Sequence, residues 1–197
     1  MEKTRRNAHR PLPLDRDAWI RGALIALADE GPAGLRVEAL AKRLKVTKGS
    51  FYWHFKDRRD LMDSLLDQWK NGRIRDIRKQ TTAQPGQELA ALHHAIAVYA
   101  AGRNRRGLPI ELALREWARR DVRAAQVVEE VDAERLNSAT RLFQALGLPQ
   151  AEAAARSVLL YAYVFGFSLM RCGGYPAEMP QVKDWIAELI AGGPAKA

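Results

Sequence analysis

The chain has 197 residues, 47% apolar and 28% charged, enough for one full core or for a small domain joined to a larger one. Against 23 Asp and Glu stand 32 Lys and Arg, a net charge of +9 that seeks anionic partners such as nucleic acid. The single cysteine, Cys172, excludes an intrachain disulfide, and no apolar run is long enough for a membrane span. The basic start, Lys3, Arg5 and Arg6, is followed by no apolar segment, so no signal peptide is read, and a soluble, cytoplasmic protein is expected.

The charge is uneven. The first 80 residues hold 19 cations and 11 anions, whereas the remainder holds 13 and 12. Such asymmetry suits a nucleic-acid-binding end joined to a neutral partner, although a generic solvated surface has the same look.

Residues 1–14 read as a basic flexible arm, with four cations and two prolines. Asp15 is placed to cap a first helix, with Leu14 as its staple, through Ile20, Leu24, Leu27 and Ala28 to Gly31-Pro32. A second helix is predicted over Val37–Leu44, then a break at Lys45-Val46-Thr47, then a short helix from Lys48 to about Phe55. After a break at Lys56-Asp57, Asp57 or Asp60 can cap a long helix through Leu61, Leu65, Leu66 and Trp69 to about Gln80. Residues 81–86 read as a linker. Helices are then predicted over Glu88–Gly102, Leu108–Arg120, Val122–Ala145 (the longest), Ala151–Arg171 and Val182–Ile190, with a loop at Gly173–Pro176. No alternating strand pattern rises above noise. The expected fold is all-α, a three-helix head over residues 15–60 followed by a larger helical domain over 61–197.

Two short helices joined by three residues form a helix-turn-helix pattern. Leu40, Ala41, Leu44, Val46, Phe51 and Phe55 supply its underside, with small Ala41 allowing close approach. Lys48, Gly49, Ser50, Tyr52, Trp53 and His54 remain on the outer face and end, where such a module meets base edges in the major groove of double-stranded DNA. Thr47 can cap the short helix, and its free N–H groups favour a phosphate. Lys48 can donate to guanine O6/N7 or to phosphate. Gly49 permits close backbone approach and is unfavourable in a helix otherwise. Tyr52 and His54 offer polar tips to phosphates, and Lys56, Arg58 and Arg59 add cations at the flank. A local core with solvated charges is the bland reading of the same pattern.

Asp29-Glu30-Gly31, Val37-Glu38-Ala39-Leu40-Ala41, Val46 through Lys56, and Asp60-Leu61 together resemble the N-terminal domain of the tetracycline-repressor (TetR) family. The likeness covers about residues 15–66. It implies a homodimeric repressor whose C-terminal helical domain binds a small effector. It also implies DNA contacts at Arg36, Lys48, Gly49, Ser50, Tyr52, His54 and Lys56. Arg36 departs from the phosphate-binding Thr or Ser common in the family. Glu38 stands where some members place a cation, and would either repel phosphate or accept from a cytosine amine. The arm's Lys3, Arg5 and Arg6 either enter the minor groove or stay a solvated tail.

In the larger domain, Ala154, Val158, Ala162, Phe165 and Leu169 form one helical stripe that is either a dimer face or intrachain core, and the family likeness favours the dimer. For an effector pocket the candidates are Trp69, Tyr99, Trp117, Phe143 and Tyr161, hinting at an apolar or aromatic ligand. Tyr163 joins them, and His93, Arg103, Glu111, Arg115 or Asn137 could be polar fixers. Each is as readily core. No catalytic constellation, metal site or cofactor motif is read: adjacent His93 and His94 point about 100° apart on a helix. A regulator without an effector is the competing expectation; a small-molecule enzyme on a helical bundle has no residue pattern to recommend it.

Overall fold

A computed structural model describes residues 14–100, 107–172, 174–175 and 178–192, apart from the side chains of residues 95 and 97–100. Nine α-helices, one 3₁₀ turn and no strand occur among the described residues. The expected arm cations lie outside them. The chain parts into two units inside its fourth helix, between Leu65 and Leu66.

In the first unit, α1 (Arg16–Glu30) begins at Asp15, whose Oδ1 accepts from Ala18 N at 2.6 Å, and ends at Gly31 with φ 65°. Its buried face is Trp19, Ile20, Ala23, Ala26 and Leu27, which keeps Ile20 and Leu27 of the expected stripe, while Leu24 and Ala28 are only half-buried. Trp19 captures the face because its ring has the largest area to bury. Gly22 also lies on this face, where a Cβ would stand 2.7 Å from Leu44 Cδ2, so the Leu44 side chain packs directly on the α1 backbone.

A 3₁₀ turn (Gly31–Leu35) leads to α2 (Val37–Arg43), then α3 (Lys48–Phe51) and α4 (Arg58–Thr81). The break between α2 and α3 is closed by Val46 N donating to Ala41 O at 3.0 Å, with Lys45 at φ 56°. The short helix stops four residues earlier than expected. Beyond it, His54 N and Phe55 N both donate to Phe51 O, at 2.9 and 3.0 Å, so residues 52–54 form a tight turn. Phe51 and Phe55 are buried and stack at 5.2 Å, and Trp19 meets Phe51 edge-on at 5.4 Å. At the start of α4, Asp57 Oδ1 accepts from Asp60 N at 2.9 Å, so Asp57 provides the cap.

The second unit contains the rest of α4 with α5 (Glu88–Ala100), α6 (Gly107–Ala118), α7 (Val122–Ala145), α8 (Gln150–Leu169) and α9 (Met179–Ala191). Its largest packing is of α7 on α8 and of α6 on α7. α7 spans 24 residues, but so does α4, which shares the greatest length. Leu92, Ile96, Leu142, Phe143, Leu160 and Val164 lie in its apolar core. Beside that core sits an ionic cluster. Arg135, 2% exposed, donates to both Glu111 oxygens at 3.0 and 2.7 Å, and Glu111 is 4% exposed. Arg115 joins Glu111 to Asp132, and the Phe165 ring lies under the Arg115 and Arg135 guanidiniums at 4.4 and 5.3 Å. Burial alone would raise the Asp132 carboxyl, but the hydrogen bonds and charges of Arg115 and Arg135 hold it below the usual range. Among the described residues, no helix is long and apolar enough to cross a membrane.

Candidate nucleic-acid interface

The aromatic platform of Trp19, Phe51 and Phe55 fixes what the short helix presents outward. Lys48, Gly49 and Tyr52 are exposed, Ser50 and His54 half-buried, and Trp53 is 84% exposed. An indole left so open, next to a tyrosine also open, is apolar surface with no partner of its own among the described residues. Gly49 has no steric reason to be glycine within the fold: a Cβ there would meet nothing nearer than Thr47 Oγ1 at 3.8 Å.

Thr47 occupies the cap position of α3, but its side chain makes no capping hydrogen bond. Its carbonyl accepts instead from Ser50 N and Ser50 Oγ, at 3.1 and 3.0 Å, which uses the Ser50 hydroxyl locally. Arg36 is exposed at the start of α2, and Lys56 is exposed after the turn. Arg58 is exposed, and its Nε donates to Leu35 O at 3.1 Å and its Nη2 to Pro32 O at 3.2 Å. These bonds tie α4 to the 3₁₀ turn.

Three contacts escaped the sequence reading. Arg16 donates through Nη1 to the His54 carbonyl and through Nη2 to Asp60 Oδ1 at 2.9 Å and Ser64 Oγ at 2.6 Å, while its guanidinium lies 4.3 Å from the Phe55 ring centre. It pins the end of the α3 turn to α1 and α4. Asp60 in turn accepts from Lys56 N at 3.0 Å, and that bond, with Arg16 second, holds its carboxyl below the usual value. Glu38 pairs with Lys48: the hydrogen bond from Lys48 holds the Glu38 carboxyl below its usual range, and the same bond pushes the Lys48 ammonium up. No local periodicity signals the partners of Arg16 and Lys48, which lie 10 to 48 residues away.

In the second unit Trp69, Trp117, Phe143 and Tyr161 are all buried, while the Tyr99 side chain and Arg103 lie outside the described residues. A cleft of about 260 Å³ opens elsewhere, lined by residues including Arg78, Thr81, Thr82, Glu88, Ser138 and Arg141, and none of the four described aromatics borders it. Glu111 and Arg115 belong to the ionic cluster. On α8, Val158, Ala162 and Leu169 are exposed and Ala154 is half-buried, whereas Phe165 turns toward Arg115 and Arg135 and leaves the stripe. On α9, which packs against α8, Trp185 and Leu189 are each 69% exposed.

Residues 20–65 match the family profile of bacterial regulatory proteins, tetR family. The tetracycline repressor protein class C of Escherichia coli is 48% identical over 54 residues, which is 27% of this chain and 25% of that protein. The class G protein of Vibrio anguillarum is 40% identical over 52 residues, 26% of this chain and 25% of that protein. The matched stretch therefore spans about a quarter of these relatives. Similarity of fold runs further. A transcriptional regulator from Rhodococcus sp. Rha1 superposes with a TM-score of 0.70 at 19% identity, covering 91% of this chain and 95% of that one. FadR from Bacillus subtilis, solved with stearoyl-CoA, has a TM-score of 0.59 at 16% identity, over 90% and 98% of the two chains. Both of these neighbours are transcriptional regulators.

Proposed function

We propose that this chain, whose head matches the tetR-family profile over residues 20–65, is a transcriptional regulator of that family and acts as a homodimeric repressor. Two heads enter successive major grooves, about one turn or more apart, on a near-palindromic operator. An effector bound in the larger domain favours an arrangement of the heads that no longer fits the operator, a shift between two populations. The observation that carries the DNA-binding part is the open face of Lys48, Gly49, Tyr52 and Trp53, held on a buried aromatic platform. The exposed apolar side chains of α8 and α9 support the dimer.

Gel shifts on the promoter beside its own gene test the contacts. Lys48→Ala is expected to weaken operator binding about 5- to 150-fold while barely changing unrelated duplexes. Tyr52→Phe is expected to weaken all duplexes alike, as loss of a phosphate contact does. If neither variant loses affinity, the contact assignment is wrong. The volume of the cleft favours a second reading, a regulator without an effector: about 260 Å³ falls below the roughly 300–1,000 Å³ usual for ligand pockets.

A further inference from the structure

Glu38 is the second residue of α2 and Lys48 the first of α3. Their Oε1 and Nζ lie 2.5 Å apart, and the side chains are 66% and 52% exposed, so the pair sits open on the surface of the head. An ion pair this exposed adds little to folding. It also burdens general DNA binding, because a carboxylate on this surface repels phosphates and occupies the ammonium that would attract them. Arg36, close enough to act on Glu38, offsets that only in part. Glu38 also lies in the first turn of α2, where a carboxylate suits the helix N-terminus, but that role does not need the reach to Lys48, which leaves selectivity as a use for the pair.

We propose that Glu38 and Lys48 act together as a reader of one G·C pair in each half-site, Lys48 donating to guanine O6 and N7 and Glu38 accepting from the cytosine N4 amine. The chemistry of the two partners matches. In the major groove a G·C pair presents two adjacent acceptors on guanine and, beside them, the amine donor of cytosine. A carboxylate and an ammonium already held side by side present the complementary acceptor and donor. Adenine and thymine fit worse: their acceptors are separated by the adenine amine, and the thymine methyl crowds one side. Reversing the pair puts the carboxylate against guanine's acceptors, so the orientation of the base pair is read as well. Each side chain also arrives pre-positioned by the other, which reduces the ordering cost on binding. The inference rests on the helix-turn-helix reading and makes Glu38, which the family likeness leaves as an oddity, a specificity residue.

Selection of binding sites from a randomised half-site library, with the full chain, tests it. The wild-type chain is expected to fix one G·C pair in each half-site and to disfavour its replacement by A·T, or its reversal, about 5- to 150-fold. Glu38→Ala is expected to lose most of that preference at the one position while keeping the rest of the site, and to bind unrelated DNA more tightly. Lys48→Met is expected to lose the same preference with weaker operator binding and little change on unrelated duplexes. If Glu38→Ala tightens all duplexes equally and leaves the preference at that position intact, Glu38 is only a charge brake and the proposal is overturned. A wild-type half-site with no required G·C pair overturns it too. A wild-type chain that ignores every duplex overturns the helix-turn-helix reading itself, and this inference with it.

Discussion

Gly49 separates what the fold needs from what the partner needs. Gly22 touches Leu44 and Gly31 takes φ 65°, so both positions have internal reasons to lack a side chain. Gly49 has neither. Gly49→Ala should therefore leave the melting temperature unchanged or raise it, since alanine is favoured over glycine within a helix by about 1 kcal/mol. The same change should weaken operator binding at least several-fold if the backbone lies against DNA. Thermal melts and binding curves on one preparation decide the matter; a variant that binds as tightly as wild type removes close backbone approach from the account. At this scale the outward residues were legible, because spacing around Phe51 and Phe55 fixes which side chains remain outside. The partners of Arg16, Arg58 and Glu38 were not, because they depend on chain segments that meet only after folding.

Among the elements, the start of α4 carries the most consequence. Asp57 caps it, and Asp60 holds Lys56 N, Arg16 and Ser64 at once, closing the turn after Phe55. The Asp60 carboxyl titrates below its ordinary 3.8 in the folded chain. Its stabilising contribution is therefore full above that value and is lost as the pH falls through the lower, folded one. Melting curves between about pH 5 and pH 3 should show the wild-type chain losing stability more steeply than Asp60→Asn, with the variant less stable at neutral pH. Equal slopes would show that Asp60 contributes nothing to the acid response. The caps were legible as Asp15 and the Asp57/Asp60 choice. The length of α3 was not, because the turn after Phe51 keeps its direction and one helical bond, Phe55 N to Phe51 O, without the full ladder, and Trp19 widened the buried face of α1 through size, which spacing does not report.

For the molecule as a whole, Trp185 and Leu189 of α9 and Val158 and Leu169 of α8 are exposed apolar side chains on two helices that pack together, surface that a second copy can cover. Leu189→Asp should shift sedimentation from dimer to monomer and reduce operator affinity at least tenfold, with helical content unchanged. A dimer that survives both this change and Trp185→Asp does not use this face. The helical count of the larger unit could be read from periodicity, yet its ionic cluster could not: Glu111 and Arg115 looked like ligand fixers until Asp132 and Arg135 appeared opposite them. In the head, Arg16 is matched by Asp60, Arg43 by Asp29 and Glu30, Lys48 by Glu38 and Arg59 by Asp63. These cations carry part of their neutralising charge within the protein. When they meet a phosphate backbone they displace fewer condensed metal ions than a bare tally of arginines and lysines implies, and so the grip on DNA declines less steeply with ionic strength.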